Sequence, residues 1–216
     1  MGHAVESEAV VRGHEVVCSV DNDGDWMSNE ALLRNADVAV EFSTPATAVA
    51  NIKRCFALDL PVVCGTTGWD ADRDAIVSQC LEENRALFTA SNFSIGMNIM
   101  YAINERLATL MRDRGYSVSI SETHHIHKLD APSGTALQLA NQIAECGGRK
   151  LEEIPIESIR EGEVPGTHTV VYDSPIDTLT ITHEAHSRKG LAVGAILAAE
   201  FLCGKRGSYT MKDLID

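Results

Sequence analysis

Residues 2–91 alternate between stretches with helical and strand patterns. A short helix is predicted over residues 2–11, and four apolar runs rich in β-branched residues then predict buried strands. These runs are HEVVCSVD, ADVAVEF, PVVCGTT and ALFTAS, each separated from the next by a helical or loop stretch. Strands that alternate with helices predict a parallel sheet covered by helices on both faces.

The pattern changes after Phe93. An amphipathic helix over residues 96–112 leads to the strand SVSISETHH, a polar loop and a helix over residues 133–145. Two alternating strands follow, HTVVYD and DTLTITHEAH, and they predict an antiparallel pair with one face in water. The last stretch, GLAVGAILAAEFLCGK, predicts a buried helix that returns to pack on the first domain. The second half is therefore predicted to be a separate α+β unit.

The chain is acidic, with 18 basic and 31 acidic side chains and a net charge of −13. This charge repels phosphate backbones and anionic lipid, which disfavours nucleic-acid and membrane-surface binding. No apolar run reaches the ~18 residues of a membrane span, and the first residues are acidic where a signal peptide is basic. The six cysteines show no C-x-x-C spacing, which is typical of free thiols in a reducing compartment. We expect a soluble, cytoplasmic protein.

Two of the predicted strands end in polar turns, EFSTPAT and CGTTGWD, each followed by a helical stretch. Ligands bind at the carboxyl ends of strands in open α/β sheets, because loops and helix N-termini with free N–H groups meet there. Thr44 and Pro45 fit a helix N-cap and its first helical position. The alternative is that residues 65–68 only form a tight turn and a cap.

The segment SETHHIHKLDAPSGTA, residues 121–136, contains three of the eight histidines in the chain. A metal site is one interpretation, since His124 and His127 have an i, i+3 spacing. On an extended segment, however, His125 and His127 share one face and His124 points to the other. No cysteine or paired carboxylate lies nearby in sequence to complete a ligand set, so we predict no metal site.

Nucleophilic catalysis by Ser133 is a second interpretation. The residues around it lack the G-x-S-x-G pattern of a nucleophile elbow. The stretch APSGTA better fits the start of a helix with Ser133 as its N-cap.

A third interpretation combines general acid chemistry with anion binding. Histidine can hold or release a proton near neutral pH, and Lys128 adds a fixed cation that attracts a carboxylate. Ser133, Gly134 and Thr135 offer hydroxyl and N–H groups at a helix start, where carboxylates bind. Together they predict a pocket for a small dicarboxylic substrate beside an acid catalyst. A solvated structural loop is the remaining alternative.

The residues of this segment also carry a family resemblance. ETHHIHKLDAPSGTA resembles the signature E-x-H-H-x-x-K-x-D-A-P-S-G-T-A of the 4-hydroxy-tetrahydrodipicolinate reductases, also called dihydrodipicolinate reductases, of the bacterial diaminopimelate and lysine pathway. CGTTGW resembles the nicotinamide-contacting turn of that family, ASNFSIGMN its next strand-to-helix junction, and ITHEAHSRKGLAVGA its return from the second domain. The resemblance covers nearly the whole chain.

The resemblance implies a role for each matching position. His124 is implied as the proton donor and Lys128 as its catalytic companion. The residues implied at the carboxylates of the substrate are His125, Gly134 and Thr135, with Ser133 and Arg188 as further candidates. The residues implied at the cofactor are Gly65, Thr66, Thr67, Ala90, Ser91, Asn92 and Phe93, with Phe42 and Ser43. The implied reaction reduces a cyclic imine-type substrate with hydride from NADH or NADPH, adds a proton and releases water.

The resemblance also implies the architecture. A Rossmann-like nucleotide-binding domain is expected over residues 1–93 and 189–216, and a domain for substrate binding and tetramerisation over residues 94–188. The predicted strands HTVVYD and DTLTITHEAH leave sheet edges that must be covered, which agrees with the implied homotetramer.

The start of the chain departs from the family pattern. The family begins with a strand and a G-x-G-x-x-G turn that holds the cofactor pyrophosphate, whereas this chain opens at MGHAVE. This opening resembles the end of the fingerprint, with Gly2 as its last glycine. We expect a start placed at an internal methionine or a truncated chain, with weakened NADH binding and stability.

An acidic residue then favours NADH as the cofactor. Asp21 ends the predicted strand EVVCSVD at 19 residues after Gly2, near the ~20-residue offset of the acidic group that binds ribose hydroxyls. Asp23 and Asp25 would add to the repulsion of a 2′-phosphate, and DNDGDW contains no arginine to pair with it. The alternative is an acidic loop with no role in binding.

Two rival functions remain at this point. A non-catalytic binding or regulatory protein of the same fold has no evident need for a proton donor beside an anion site. A dehydrogenase acting on an amino-acid semialdehyde needs a reactive cysteine in the pocket, and we expect none near either motif.

Overall fold

The computed structural model describes residues 1–216, which form two compact units. Unit 1 contains Met1–Ile95 and Lys189–Asp216, and unit 2 contains Gly96–Arg188. The chain therefore leaves unit 1 at Ile95 and returns to it at Lys189.

Nine α-helices and eight strands make up the two units. The helices are α1 Gly2–Val11, α2 Asp23–Ser28, α3 Glu30–Leu33, α4 Pro45–Ala57, α5 Arg73–Glu82, α6 Ile95–Met111, α7 Gly134–Gly147, α8 Lys189–Leu202 and α9 Met211–Ile215. The strands are β1 Ala39–Glu41, β2 Val62–Cys64, β3 Ala86–Thr89, β4 Ser117–His124, β5 Ile156–Arg160, β6 Thr167–Asp173, β7 Thr178–Glu184 and β8 Gly207–Thr210. Short 3₁₀ turns occur at Asp70–Asp72 and Leu151–Glu153.

Unit 1 is built on a parallel sheet with the strand order β1-β2-β3-β8. Alternate side chains of its strands face two separate cores, because successive residues of a strand point to opposite sides. Val63 and Phe88 pack with α1 and α8, whereas Val62 and Leu87 pack with α4 and α5. The predicted parallel sheet with helices on both faces is confirmed, as is the return of the last apolar helix to this unit.

The predicted strand over residues 14–21 is wrong. This segment has no regular secondary structure, and Val16 and Val17 are exposed. A run of β-branched residues forms a strand only where a neighbouring strand accepts its ladder hydrogen bonds. The sheet of unit 1 begins at β1, which pairs only with β2, so the segment has no partner strand.

Unit 2 contains a mixed sheet with the order β5-β4-β6-β7, in which β4 is parallel to β5 and antiparallel to β6. The antiparallel pairing of β6 with β7 is confirmed. Alternate residues of β4 and β6 are buried against α6 and α7, and β7 is mostly exposed. The sequence pattern did not reveal β5, because its residues alternate between half-buried and exposed and contain three polar side chains among five.

No helix in the structure has the length and apolar character needed to cross a membrane. All six cysteines are free thiols, and Cys55, Cys64 and Cys80 are buried.

Candidate active site

The candidate site is centred on the end of strand β4. Glu122 and His124 are two residues apart on this strand, so their side chains point to the same face. That face is the inner one, where Glu122 is fully buried and His124 is 8% exposed. Glu122 Oε2 contacts His124 Nδ1 directly. The strand geometry therefore produces a buried carboxylate–imidazole pair.

The second oxygen of Glu122 is also occupied. Glu122 Oε1 accepts a hydrogen bond from Arg160 Nη2 at 3.0 Å and one from the Ser133 backbone N–H at 3.3 Å. Burial alone would raise the pKa of Glu122, but hydrogen bonds from Ser158 and Arg160 and the nearby charges lower it below its usual value. Glu122 is therefore a carboxylate at neutral pH.

The second ring nitrogen of His124, Nε2, is not the one that contacts Glu122. A methyl group at Gly166 would lie 3.1 Å from His124 Nε2, so glycine at this position avoids a close side-chain contact with this atom. Burial lowers the pKa of His124, while the carboxylate of Glu122 acts in the opposite direction. The imidazole can therefore lose a proton from Nε2 while Nδ1 stays paired with Glu122.

A second histidine, His168 on β6, lies against the first. The two rings are 5.0 Å apart and nearly perpendicular, and His168 Nε2 lies 3.3 Å from Ser133 Oγ. Burial and the neighbouring His124 lower the pKa of His168 to about 4. His168 is therefore neutral at physiological pH and acts as a packed, hydrogen-bonded neighbour of the site.

This depressed pKa predicts a loss of stability in acid. The unfolded chain binds a proton to His168 near pH 6.5, whereas the folded chain resists protonation until about pH 4. Stability is therefore lost as the pH falls through this range, and the contribution of His168 is about 3 kcal/mol. Urea unfolding across this range should show a smaller pH dependence for His168→Gln than for the wild type. His186→Gln, at an exposed position, is the control and should keep the pH dependence of the wild type. Equal slopes of unfolding free energy against pH for the wild type and His168→Gln would contradict the expectation.

Lys128 lies on the loop that follows β4. Its Nζ donates hydrogen bonds to both carboxylate oxygens of Asp130, at 2.8 and 2.9 Å, and this pairing lowers the pKa of Asp130. Arg160 holds the same loop through hydrogen bonds from Nη2 to the Asp130 carbonyl at 2.6 Å and from Nε to the Lys128 carbonyl at 3.4 Å. The loop cation therefore has a defined position near His124.

His125 and Arg188 lie together beside an open groove of about 330 Å³. Arg188 Nη2 is 3.0 Å from His125 Nε2. His127 shares the groove and contacts Glu163 at 3.3 Å. The structure thus brings together two of the residues predicted to bind substrate carboxylates, in a groove with an arginine cation.

Ser133 is the N-cap of α7, as predicted. Its Oγ accepts a hydrogen bond from the Ala136 N–H at 3.2 Å, and its own N–H is bound to Glu122. These contacts match a helix cap and leave the nucleophile interpretation without support. Gly134 is exposed at the helix start, and Thr135 is half-buried and hydrogen-bonded to Tyr101. The turn therefore presents the N-terminal end of a long helix, which favours anions.

The structure also brings together three residues of metal-ligand type that the sequence pattern did not link. Ligand atoms of Glu122, His124 and His168 lie within 4.8 Å of one another. Glu122 is already in contact with His124, and the cation of Arg160 already neutralises its charge. A further cation would have to displace these contacts, so the arrangement fits a hydrogen-bonded network better than a metal centre.

Sequence reasoning missed Glu122, Arg160 and His168 as members of the site. The alternation of β4 was a usable signal for Glu122, because it places residues 122 and 124 on one face. Arg160 and His168 come from β5 and β6, and nothing in the sequence gives their register against β4.

In unit 1, all but two of the predicted cofactor residues lie at the carboxyl ends of adjacent strands. The Ser43 N–H donates to Thr66 Oγ1 at 2.7 Å, which joins the turn after β1 to the turn after β2. A side chain at Gly65 would overlap the Phe42 ring, with a Cβ only 2.1 Å from it. Glycine at this position therefore permits the close packing of the two turns, and Thr67 is exposed beside them.

The turn after β3 contains the predicted residues 90–93. The Ala90 N–H donates to the carbonyl of Cys64 on β2 at 3.3 Å, and Asn92 Oδ1 accepts from the Ser94 N–H at 2.9 Å. Ser91 is exposed. The turn is packed against α8, where any side chain in place of Gly194 would overlap the Phe93 carbonyl. The turns after β1, β2 and β3 are thus next to one another at one sheet edge, which fits a nucleotide site.

The two other predicted cofactor residues are outside this cluster. Gly2 is exposed at the first position of α1. Asp21 is exposed just before Asn22, the N-cap of α2, and its N–H is hydrogen-bonded to Asp25. An arginine absent from the local sequence also enters this region, since Arg54 of α4 forms an ion pair with Asp23 at 2.6 Å.

One cysteine does lie next to one of the two motifs. Cys64 is the last residue of β2 and directly precedes the turn that begins at Gly65. Its thiol is buried and donates to Glu41 Oε2 at 3.2 Å, and burial raises its pKa. A thiol in this state is a poor nucleophile, so its position does not favour a semialdehyde dehydrogenase.

Both halves of the chain match models of one protein family. Residues 1–93 match the N-terminal domain of dihydrodipicolinate reductase, and residues 96–215 match its C-terminal domain. The "4-hydroxy-tetrahydrodipicolinate reductase" of Christiangramia forsetii is 45% identical over 100% of this chain and 93% of its own length. That of Nitrosomonas eutropha is 35% identical over 92% of this chain and 79% of its own length.

Solved structures agree in fold. A dipicolinate-bound dihydrodipicolinate reductase from Paenisporosarcina sp. TG-14 superposes with a TM-score of 0.79 at 22% identity, over 96% of this chain and 93% of that one. An amine dehydrogenase from Mycobacterium smegmatis gives a TM-score of 0.63 at 9% identity, over 99% and 92% of the two chains. The fold is therefore shared with other dehydrogenases, whereas the sequence matches over both domains are specific, and the chain belongs to the dihydrodipicolinate reductase family.

Proposed function

We propose that this protein catalyses the NAD(P)H-dependent reduction of 4-hydroxy-tetrahydrodipicolinate to tetrahydrodipicolinate in diaminopimelate and lysine biosynthesis. The observation that carries the proposal is the buried His124–Glu122 pair with Lys128 and the Ser133 turn beside it. This arrangement supplies a proton donor, a cation and N–H donors in one unit of a reductase-family chain.

The proposed chemistry assigns one proton to His124. The reduced nicotinamide, when bound, supplies hydride to the ring of the substrate. His124 donates the proton from Nε2, the ring nitrogen next to Gly166, and keeps Nδ1 on Glu122. Substrate, reduced cofactor and one proton thus yield tetrahydrodipicolinate, oxidised cofactor and water. Lys128 stabilises the negative charge that develops before the proton arrives.

The substrate carries two carboxylates, and the proposed binding groups are cationic or rich in N–H donors. Arg188 and His125 would bind at the groove, where they lie 3.0 Å apart. Ser133, Gly134 and Thr135 would bind at the N-terminal end of α7, a helix of 14 residues whose dipole favours anions. The dipicolinate bound to the Paenisporosarcina protein is a dicarboxylate of this kind.

The proposed cofactor site is the cluster of turns after β1, β2 and β3. Two of these turns consist of Phe42 and Ser43 and of Gly65, Thr66 and Thr67. The hydrogen bond between Ser43 and Thr66 and the packing of the Phe42 ring on Gly65 would hold a flat ring in place. Residues 90–93 form the third.

Enzyme assay is the direct test of the proposed function. Purified protein should oxidise NADH or NADPH only when freshly generated 4-hydroxy-tetrahydrodipicolinate is present, and the absorbance of the reduced nicotinamide should fall with time. Binding of the cofactor without turnover, at any substrate concentration, would contradict the proposal and favour a non-catalytic nucleotide-binding protein.

We further propose a preference for NADH over NADPH. Asp21, Asp23 and Asp25 contribute three carboxylates to the segment that we propose to meet the ribose of the adenosine, although Arg54 already pairs with Asp23. NADH is therefore expected to bind at least as tightly as NADPH, and Asp21→Asn should shift the ratio of the two Kd values toward NADPH. Titration of both proteins with both cofactors measures this. A strong NADPH preference in the wild type would remove the role of Asp21.

We also propose that the protein is a homotetramer assembled through the sheet of unit 2. Strand β7 is an edge strand and is mostly exposed. Beside it, an apolar groove of about 280 Å³ includes Ile99 and Ile103 of α6, which are 45% and 50% exposed. Exposed apolar surface next to a free strand edge is typical of a subunit interface.

Sedimentation tests this assembly. The wild type should sediment as a species well above 23.4 kDa. Ile103→Asp should shift the population toward smaller species, because it places a charge in the groove, whereas Leu137→Asp on α7 serves as a control of similar exposure, 41%. A wild-type monomer at micromolar concentration would contradict the proposal.

We also infer a cytoplasmic location, since the six free thiols fit a reducing compartment.

A further inference from the structure

We propose that Glu122 is a positioning residue whose single carboxylate joins the proton donor to the substrate-binding turn. One oxygen contacts Nδ1 of His124, and the other accepts a hydrogen bond from the N–H of Ser133. The inference rests on the proposed function, because it assigns a role within that same site.

The first contact fixes the state of the imidazole. A carboxylate can only accept hydrogen bonds, so the proton on Nδ1 of His124 must point toward Glu122. The proton on Nε2 is then the one that leaves, and the product of the transfer is the neutral Nδ1–H tautomer that Glu122 already stabilises. With a neutral amide at residue 122, the side chain could donate to Nδ1 and favour the opposite tautomer.

The second contact fixes the position of the turn. The Ser133 N–H reaches Glu122 Oε1 at 3.3 Å, and Ser133 Oγ then caps α7 through the Ala136 N–H at 3.2 Å. Arg160 donates to the same carboxylate oxygen and to the carbonyl of Asp130, so the part of the loop just before Ser133 is tied to Glu122 as well. Movement of Glu122 would therefore displace the acid and the anion-binding turn together.

The burial of Glu122 makes this role more than a surface ion pair. The side chain is fully buried, and all of its recorded partners belong to β4, β5 or the Ser133 turn. The charged and titratable groups that face His124 are Glu122 on β4, Lys128 on the loop, Arg160 on β5 and His168 on β6, with His183 of β7 acting on His168. Among these groups only Glu122 is negative, so it alone favours the protonated imidazole.

Glu122→Gln is the first test. Loss of the negative charge is expected to lower the pKa of His124 by at least about one unit, because an opposite charge at contact distance shifts a pKa by about 1–3 units. The falling limb of the kcat/KM profile should move to lower pH by that amount, and activity above the limb should fall at least about tenfold. KM for the substrate should also rise, since the Ser133 turn loses a charged acceptor. Nuclear magnetic resonance titration of the His124 ring measures the pKa shift independently of turnover.

Two further variants separate positioning from simple destabilisation. Arg160→Gln removes a positive charge that lowers the pKa of His124, so its limb should move in the opposite direction, to higher pH. Glu157→Gln makes the same chemical change as Glu122→Gln at an exposed position of β5, where residue 157 pairs with Ser121, and should leave the falling limb at its wild-type pH. A variant that only destabilises the fold would lower activity at every pH without moving the limb.

The outcomes distinguish this inference from the proposed function. An unchanged ring titration and an unchanged KM in folded Glu122→Gln would overturn the positioning role, even if the wild type is an active reductase. An inactive wild type would overturn the proposed function, and the ring titrations of the wild type and Glu122→Gln would still decide whether Glu122 sets the protonation of His124. Should Glu122→Gln fail to fold, Glu122→Asp keeps the charge with a shorter reach. The pKa of His124 should then stay close to its wild-type value, while KM for the substrate should rise. A wild-type KM would count against the role.

Discussion

Replacing His124 by alanine is expected to lower kcat by about 10²–10⁴, the range expected for a positioned general acid. The structure gives the reason, because Nδ1 of His124 is held by a buried carboxylate, while glycine at position 166 avoids a close side-chain contact with Nε2. KM should change much less than kcat, since the substrate carboxylates are assigned to other residues. Steady-state rates with saturating NADH and freshly generated substrate measure both constants.

The control for this variant is His186→Ala. His186 belongs to the same unit and is exposed, and none of the proposed roles involves it. It should keep the wild-type kcat. A wild-type kcat in His124→Ala, with the protein folded, would remove His124 as the proton donor.

The pH dependence of the wild type follows from the same residue. A general acid must be protonated to act, so kcat/KM should fall as the pH rises through the pKa of His124. Burial lowers that pKa below the usual value for histidine, with Lys128 and Arg160 acting in the same direction and Glu122 opposing them. Burial and these three neighbouring groups therefore decide where the falling limb lies, which is why the charge of residue 122 matters for the reaction.

The sequence identified the parts of the site that are continuous along the chain. The segment from His124 to Thr135 contains the proposed acid, the proposed cation and the helix cap, and the cap at Ser133 is confirmed because local residues alone determine it. The parallel sheet of unit 1 is likewise confirmed, since the apolar runs at β1, β2 and β3 are short, buried and separated by helices. Local patterns predict features whose causes are local.

Features that depend on strand pairing were not predictable in the same way. Arg160 reaches Glu122 because β5 pairs with β4 in a register that places residue 160 opposite residue 124. His168 pairs across from Glu122 on β6. The wrong strand at residues 14–21 has the same origin. The residue pattern shows that a segment favours a strand, but it does not show whether a neighbouring strand is present to pair with it. Long-range pairing therefore accounts for both the missed residues and the wrong element.

Replacing Lys128 by alanine is the second change with a large expected effect, a decrease in kcat of about 10²–10³, as for the loss of one group that stabilises developing charge. The side chain of Lys128 is 21% exposed, and its Nζ lies 2.8 Å from Asp130 Oδ1. Lys128 is therefore a positioned cation and not a freely moving surface lysine. Single-turnover rates with bound NADH should show the decrease in the chemical step.

Charge and geometry can be separated at this position, because Lys128→Arg keeps the cation but changes its shape and reach. If the role is electrostatic, this variant should lie between the wild type and Lys128→Ala in kcat.

Lys150 is the other lysine of unit 2 and is exposed, so Lys150→Ala controls for the loss of one positive charge from the unit. Equal decreases in Lys128→Ala and Lys150→Ala would mean that net charge, and not the placement of Lys128 near His124, sets the rate. A decrease confined to Lys128→Ala, with His124 still titrating in the folded protein, would place the effect on the stabilisation of charge in the transition state.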